Sequence, residues 1–344
     1  MGAQGLATGG NGGEDWGMYA IELNGFGGPE VMEWTVAVDP EPGPGEVLVE
    51  VVAAGVNRAD VMQRRGFYPP PADASSILGL ECSGTIVKLG AGVVDWQVGD
   101  RVCALLSGGG YAQFVAVPVT QLLPIPAGMD SVAAAGLPEV AATVWSNLVL
   151  TAGLRTGQLV LIHGGGGGIG THAIQVAREL GARVAVTAGS DAKLTKCAEL
   201  GAEILINYRT GDFVDEIAQQ GGADVILDNM GAKYLERNVE ALAPYGRLVV
   251  IGMQGGVSGT LNIAALLGKW GTVAATNVRS RPRSGPGSKA EIIAAVRAHL
   301  WPRVTAGEIV PVISAELPIT EAARAHEMLD ESQTFGKVIL RVRD

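Results

Sequence analysis

The stretch His163-Gly164-Gly165-Gly166-Gly167-Gly168-Ile169-Gly170 contains the spacing Gly165-x-Gly167-x-x-Gly170, directly after the apolar run LVLIH and ahead of an amphipathic one. Glycine at these places permits a tight turn, close approach of backbone N–H groups to a diphosphate, and close packing of a helix on its strand. The helix N-terminus that follows offers unpaired N–H groups and a positive dipole end to the same anion. A five-glycine run meets the spacing trivially. It is the strand–loop–helix context that reads as a dinucleotide loop rather than as a flexible turn.

The end of the next strand chooses between dinucleotides. An acid about twenty residues on would bind a ribose 2′-hydroxyl, but the place reads Thr187-Ala188-Gly189-Ser190, with no acid before Asp191. Ser190 is a good N-cap for the following helix. Lys193 then falls in that helix's first turn, where the dipole disfavours a cation. An anion beside Lys193 would account for it, and the adenosine 2′-phosphate of NADP(H) is the expected one. Tyr208 and Arg209, just after the third strand, are placed to close the same pocket.

The elements that must hold this loop are legible in the punctuation. From Gln158 onward, near-continuous apolar strands (LVLIH, RVAVT, EILIN, DVILD, RLVVIG) alternate with helices ended by Gly181 and Gly201, which predicts a parallel sheet covered on both faces. Residues 19–118 hold short β-type runs between Gly and Pro clusters, as in a compact antiparallel barrel or sandwich. Residues 131–153 are Ala-rich with helical spacing and read as a hinge helix. The tail VPVISAEL, a helix over 320–330 and GKVILRV repeat the β-rich pattern, so the chain is expected to return to its first unit. The expected division is a flexible tail at 1–17, a β-rich unit at 18–140 completed by 312–344, and a dinucleotide-binding unit at 141–311.

Composition narrows the function. The 344 residues include 50 glycines, 47% are hydrophobic and the net charge is −10. The nine acids Glu14, Asp15, Glu22, Glu30, Glu33, Asp39, Glu41, Glu46 and Glu50 all precede the first basic residue, Arg58, and without them the chain is nearly neutral. No basic stripe is available to neutralise phosphates along a nucleic acid. No secretory signal is read at the start, and Pro138, Glu139 and Asn147 interrupt the most apolar stretch, so no membrane span is expected. Three widely spaced cysteines, Cys82, Cys103 and Cys197, read as free thiols of a reducing compartment, and the expected location is cytoplasmic.

Several segments together resemble a known family. GVNRADVMQRRGFYPPP (55–71), ILGLECSG (77–84), GLPEVAATVW (136–145), LIHGGGGGIGTHAIQ (161–175), TAGSDAKL (187–194), INYR (206–209) and FGKVIL (335–340) occur in the order found in the medium-chain dehydrogenase/reductase superfamily. They are most similar to its zinc-independent, zeta-crystallin-like quinone oxidoreductases, on the branch of the tumour-suppressor-inducible quinone oxidoreductase. The resemblance covers residues 18–344. It implies an α/β protein: a GroES-like β-rich catalytic domain plus a Rossmann doubly wound parallel-sheet domain, with the active site in the cleft between them. It further implies NADPH-dependent reduction of quinones by hydride or single-electron transfer, and a homodimer. GTVAATN (271–277) is a candidate for strand addition between copies.

Residue by residue, the resemblance places Asn57 and Thr143 near the nicotinamide. It puts Gly165, Gly167, Gly168, Ile169 and Gly170 on the diphosphate, and Ser190, Lys193 and Tyr208 at the 2′-phosphate end. Gly252, Met253 and Gln254 would border the nicotinamide ribose, and Tyr68 the substrate cleft. Met62 stands where some relatives have tyrosine. Zinc-dependent relatives carry a ligand cysteine where this chain has Asn57, and a histidine where it has Leu80 before Glu81. No tetrahedral metal site can be assembled from the spacing of its cysteines and histidines. His163 reads as a hydrogen-bonded core residue, Cys82 and Cys103 as small buried hydrophobes, and Asp60 and Glu81 as structural hydrogen-bonding groups. Two other functions fit the same residues: reduction of activated alkenes (enones, enals or enoyl thioesters), and NADPH binding with little turnover.

Overall fold

A computed structural model describes residues 17–343, so nearly all of the expected N-terminal tail lies outside the described residues. The described residues run through fifteen strands. β1 (Met18–Leu23) and β2 (Met32–Ala37) form an antiparallel hairpin. The second of these, MEWTVA, has no counterpart in the sequence reading. β3 (Glu46–Val56), β4 (Glu81–Leu89), β5 (Arg101–Leu105), β6 (Phe114–Pro118) and β7 (Leu122–Pro124) follow. The second unit contributes β8 (Leu159–His163), β9 (Arg183–Ala188), β10 (Ile204–Asn207), β11 (Ala223–Asp228), β12 (Leu242–Val250) and β13 (Thr272–Ala275). β14 (Ile313–Pro318) and β15 (Lys337–Arg341) close the chain.

The six strands β8 to β13 form one sheet in the order β10-β9-β8-β11-β12-β13, every neighbour parallel. β8 is buried at all five residues, as a central strand covered on both faces must be. The order reverses between β8 and β11. Beyond the carboxyl ends of the strands at such a switch point lies the crevice where α/β sheets bind ligands, and the glycine run begins at the end of β8. β10 and β13 are the sheet's edge strands.

The other large sheet runs β14-β15-β3-β4-β5-β7, with β6 also paired to β3. β15 lies antiparallel to β3, with Val338 opposite Val56 and Ile339 opposite Gly55. The return of the chain to its β-rich half, expected from GKVILRV, is therefore built into this sheet. Strand β3 alternates part-buried and buried side chains over its first eight residues, the pleat of a strand with one face on the core.

The Ala-rich segment is helical but broken. A short turn over Ser131–Ala134 is followed by a helix over Pro138–Val144 that widens into a π-type turn over Trp145–Thr151. From its interrupting polar residues this stretch is expected not to cross a membrane. By length and hydropathy Ser131–Thr151 does qualify, and burial decides instead: 83% of its most apolar window is inside the protein. Leu137, Ala141, Val144 and Leu148 pack in one core with Val160 and Ile162 of β8 and with Cys103 and Leu105 of β5, so this helix ties the two sheets together.

Candidate functional site

The glycine loop divides by the cause of each glycine. Gly164 has φ +73°, and a side chain there would stand 2.7 Å from Asn229 Nδ2. A Cβ on Gly165 would lie 2.9 Å from Val186 Cβ, one on Gly168 2.5 Å from Lys337 Cδ, and one on Gly170 2.7 Å from Gly165 Cα. The fold itself needs these four. Gly167 differs: its φ is −81°, and a Cβ would meet only Gly164 O at 3.4 Å, an ordinary contact. Gly167 is the N-cap of the helix Gly168–Glu179, and no side chain caps that terminus. Its first N–H groups and the open space over Gly167 form a cradle suited to an anionic group. Ile169, part-buried, packs into the core beside it.

His163, at the end of β8, lies between Thr187 Oγ1 (3.1 Å) and Asn238 Oδ1 (2.7 Å), and burial holds its pKa down at about 4. It is a neutral, hydrogen-bonded core histidine, as read from the sequence.

At the end of β9, Ser190 Oγ accepts from Lys193 N at 3.4 Å, which is the expected N-cap. The Tyr208 hydroxyl occupies the space a side chain on Gly189 would need. Lys193 reaches over the glycine loop, and its Nζ donates to Ser332 O at 2.6 Å. Burial and the nearby charge of Arg209 both lower its pKa. Lys193 thus meets a carbonyl 139 residues away in sequence. That carbonyl belongs to a loop whose Phe335 lies against Gly166 and whose Gly336 N donates to Gly166 O at 2.9 Å.

Gly252, Met253 and Gln254 follow β12 and reach the same edge through Asn229. Gln254 N donates to Asn229 O at 3.2 Å, and a Cβ on Gly252 would lie 2.7 Å from that oxygen. Met253 is exposed. Asn229 itself, the residue just past β11, was missed in the sequence. Its buried Oδ1 has no hydrogen-bond partner among the described residues.

The opposite wall comes from the β-rich sheet. Asn57 is the N-cap of the helix Arg58–Arg64, and its N–H donates to Asp60 Oδ2 at 2.8 Å. Its amide is engaged inward: Nδ2 donates to Glu81 Oε1 (2.9 Å) and Oδ1 accepts from Lys337 Nζ (2.6 Å). Lys337 Nζ also meets Glu81 Oε1 at 2.6 Å, and Glu81 Oε2 accepts from Glu139 N at 2.9 Å. Asp60 and Glu81 are therefore hydrogen-bonding groups on either side of Asn57. Asp60 takes a second backbone donor from Gly79 (3.1 Å), and burial raises its pKa to about 6. Thr143 donates from Oγ1 to Glu139 Oε1 at 2.8 Å, and burial lifts the Glu139 carboxyl to about 7.

Tyr68 sits under Arg279, whose guanidinium carbon is 5.2 Å from the ring centroid. Arg279, almost fully buried, donates to Tyr68 O (3.1 Å), Ser107 O (2.9 Å) and Gln63 Oε1 (2.5 Å). Burial raises the phenol's pKa; the Glu139 charge adds to that rise while Arg279 opposes it. Met62 is part-buried on the helix just before. Glu139, Lys337 and Arg279 escaped the sequence reading as site residues. A buried-charge signal was present, since Glu139 and Lys337 each interrupt an apolar run, but their partners lie far away in sequence.

Among the described residues no group of three His, Cys, Asp or Glu side chains could hold a metal ion. Cys82 and Cys103 are fully buried, and burial pushes both thiols well up, away from the thiolate a metal needs. Leu80 and Asn57 supply no ligand either. The residues present do not fit zinc.

Comparison with known proteins gives a consistent set. Residues 43–127 match the alcohol dehydrogenase GroES-like domain, and residues 168–292 match the zinc-binding dehydrogenase family. The 2-haloacrylate reductase of a Burkholderia species is 31% identical over 337 residues, covering 94% of this chain and 98% of that protein. The quinone oxidoreductase of Rattus norvegicus is 32% identical over 331 residues, covering 94% and 97%. The crystal structure of Escherichia coli quinone oxidoreductase complexed with NADPH superposes with a TM-score of 0.83 at 29% identity, covering 94% of this chain and 99% of that one.

Proposed function

Because the chain belongs to the medium-chain dehydrogenase/reductase superfamily, with its GroES-like and Rossmann domains, we propose that it is a zinc-independent, NADPH-dependent quinone oxidoreductase. The observation that carries this reading is the switch-point cradle. Gly167 is a glycine the fold does not itself require, at an uncapped helix N-terminus, with Lys193 and Arg209 rather than an acid at the adenosine end. NADPH, when bound there, supplies the hydride or the single electron.

The chain's own residues bind, orient and exclude water. Gly165, Gly167, Gly168, Ile169 and Gly170 receive the diphosphate, and Ser190, Lys193 and Tyr208 receive the 2′-phosphate, with Lys193 exchanging the Ser332 carbonyl for the stronger charged acceptor. Gly252, Met253, Gln254 and Asn229 border the ribose. Asn57 and Thr143 line the nicotinamide side, and Tyr68, held by Arg279, borders the acceptor. The same reading divides the chain at 140/141 and 311/312. It places the protein in the cytoplasm as a homodimer, with β13 as the strand that pairs between copies.

A second reading has its own support. The 2-haloacrylate reductase relative is named for an activated alkene, so hydride addition to an enone, enal or enoyl thioester is the competing reaction. NADPH oxidation followed on a naphthoquinone, an enone and an enoyl thioester separates the two. Quinone turnover that neither added zinc nor a chelator changes is the expected result, and turnover on the alkenes alone would overturn the quinone reading. Tight NADPH binding with no turnover on any of them would leave a binding protein.

A further inference from the structure

Three carboxyl groups and one ammonium stand together behind Asn57, and their donors are unequally shared. Glu81 is ion-paired with Lys337 Nζ and accepts from Asn57 Nδ2 and the Glu139 N–H. Asp60 accepts from the N–H groups of Asn57 and Gly79 and faces the Tyr111 hydroxyl at 3.3 Å. Lys337 donates to Asn57 Oδ1 and Val56 O and is ion-paired with Glu81. Among the described residues Glu139 has only the Thr143 hydroxyl, on Oε1, and its buried Oε2 has no partner. Carboxylates that accept several hydrogen bonds keep their charge, and a buried one without them takes up a proton.

Resting on the reductase reading above, we propose that Glu139 takes up and releases a proton around neutral pH and serves as the proton store for the reduced acceptor, with Thr143 as its exit. The geometry places it for this. Glu139 is one helical turn before Thr143, the 2.8 Å contact admits a proton from either oxygen, and the Thr143 hydroxyl has no other partner among the described residues. The charge of Glu139 is also felt by Tyr68, on the acceptor's side of the cleft. A quinone that has gained a hydride carries an anionic oxygen. The Thr143 O–H bond breaks toward that oxygen as the Glu139 O–H bond breaks toward Thr143. A quinol and a Glu139 carboxylate remain. Lys337 stabilises the carboxylate until solvent returns the proton. Glu81 on β4, Asp60 on the helix Arg58–Arg64 and Lys337 on β15 are the charged groups facing Glu139, and the first two favour its neutral form while the third opposes it. Glu139 is a positioning and proton-holding residue; Thr143 would be the group that touches the acceptor.

The test has one readout independent of turnover. Infrared difference spectra of the cofactor-free protein, taken across neutral pH, should show a protonated carboxyl carbonyl that fades as pH rises and is missing in Glu139→Gln. Single-turnover reduction of a naphthoquinone by NADPH should show an inflection near neutrality. Glu139→Gln should lose that inflection and slow by roughly 10-fold or more, while Thr143→Val slows likewise but keeps the carbonyl band. A protein that reduces quinone without the band, a Glu139→Gln variant that keeps the inflection, or a Thr143→Val variant at the wild-type rate overturns the proton store alone. A protein that shows the band and reduces no acceptor overturns the reductase reading and the relay with it.

Discussion

Lys337 Nζ lies 2.6 Å from Glu81 Oε1, both side chains buried, and the two close around the amide of Asn57 from β15 and β4. The pair joins residues 256 positions apart, and its methylenes fill the space that Gly168 leaves open. One ion pair therefore fixes the wall of the cleft and the start of the dinucleotide helix together. Removing one partner leaves the other charge buried. Lys337→Ala or Glu81→Gln should each cost about 3–5 kcal/mol in denaturant unfolding, whereas Lys337→Met combined with Glu81→Leu should cost clearly less than the sum. Additive losses would mean the two charges act separately.

The glycine loop offers a contrast within four residues. Gly170→Ala drives a methyl group into Gly165 and should destabilise the fold by about 1–3 kcal/mol. Gly167→Ala meets no such contact and should leave stability within about 1 kcal/mol of wild type while weakening NADPH binding. Thermal unfolding and cofactor titration on both variants separate the two roles. Equal loss of stability would remove the distinction.

Lys193→Ala deletes one cation from the adenosine end. If that cation binds the 2′-phosphate, NADPH affinity should fall by roughly 10- to 150-fold, the worth of a hydrogen bond to a charged group. NADH affinity should change little. An equal loss for both would show that Lys193 serves only the Ser332 loop.

Stability should depend on pH in two opposing ways. The raised pKa of Glu139, about 7 against 4.5, contributes stability that is complete at low pH and is lost as pH rises through 7. His163, depressed to about 4, and His172 and His326, depressed to about 3 by burial, contribute stability that is complete above 6.5 and is lost on acidification. Glu139→Gln removes the first contribution only. Relative to wild type, it should gain about 2–3 kcal/mol between pH 5 and pH 8, read from urea midpoints. A pH-independent difference would show that Glu139 is ionised throughout.

The sequence by itself determined the elements and the loop. Near-continuous apolar runs marked the strands of the second sheet, because a strand covered on both faces is predominantly apolar, and the glycine spacing located the cradle at the end of β8. Local capping made Ser190 legible, since its partner Lys193 is three residues on. The missing zinc ligands were legible at Asn57 and Leu80 on the strength of the resemblance. Only the tertiary structure decided what each polar side chain faces. Lys193 meets Ser332, Arg279 clamps Tyr68, and Glu139 is left short of donors beside Glu81 and Lys337, through contacts between segments tens to hundreds of residues apart. Hydrophobic periodicity is a one-dimensional signal that records which face is buried. The pairing of buried charges depends on which strands become neighbours, and that is settled only when β15 comes to lie against β3.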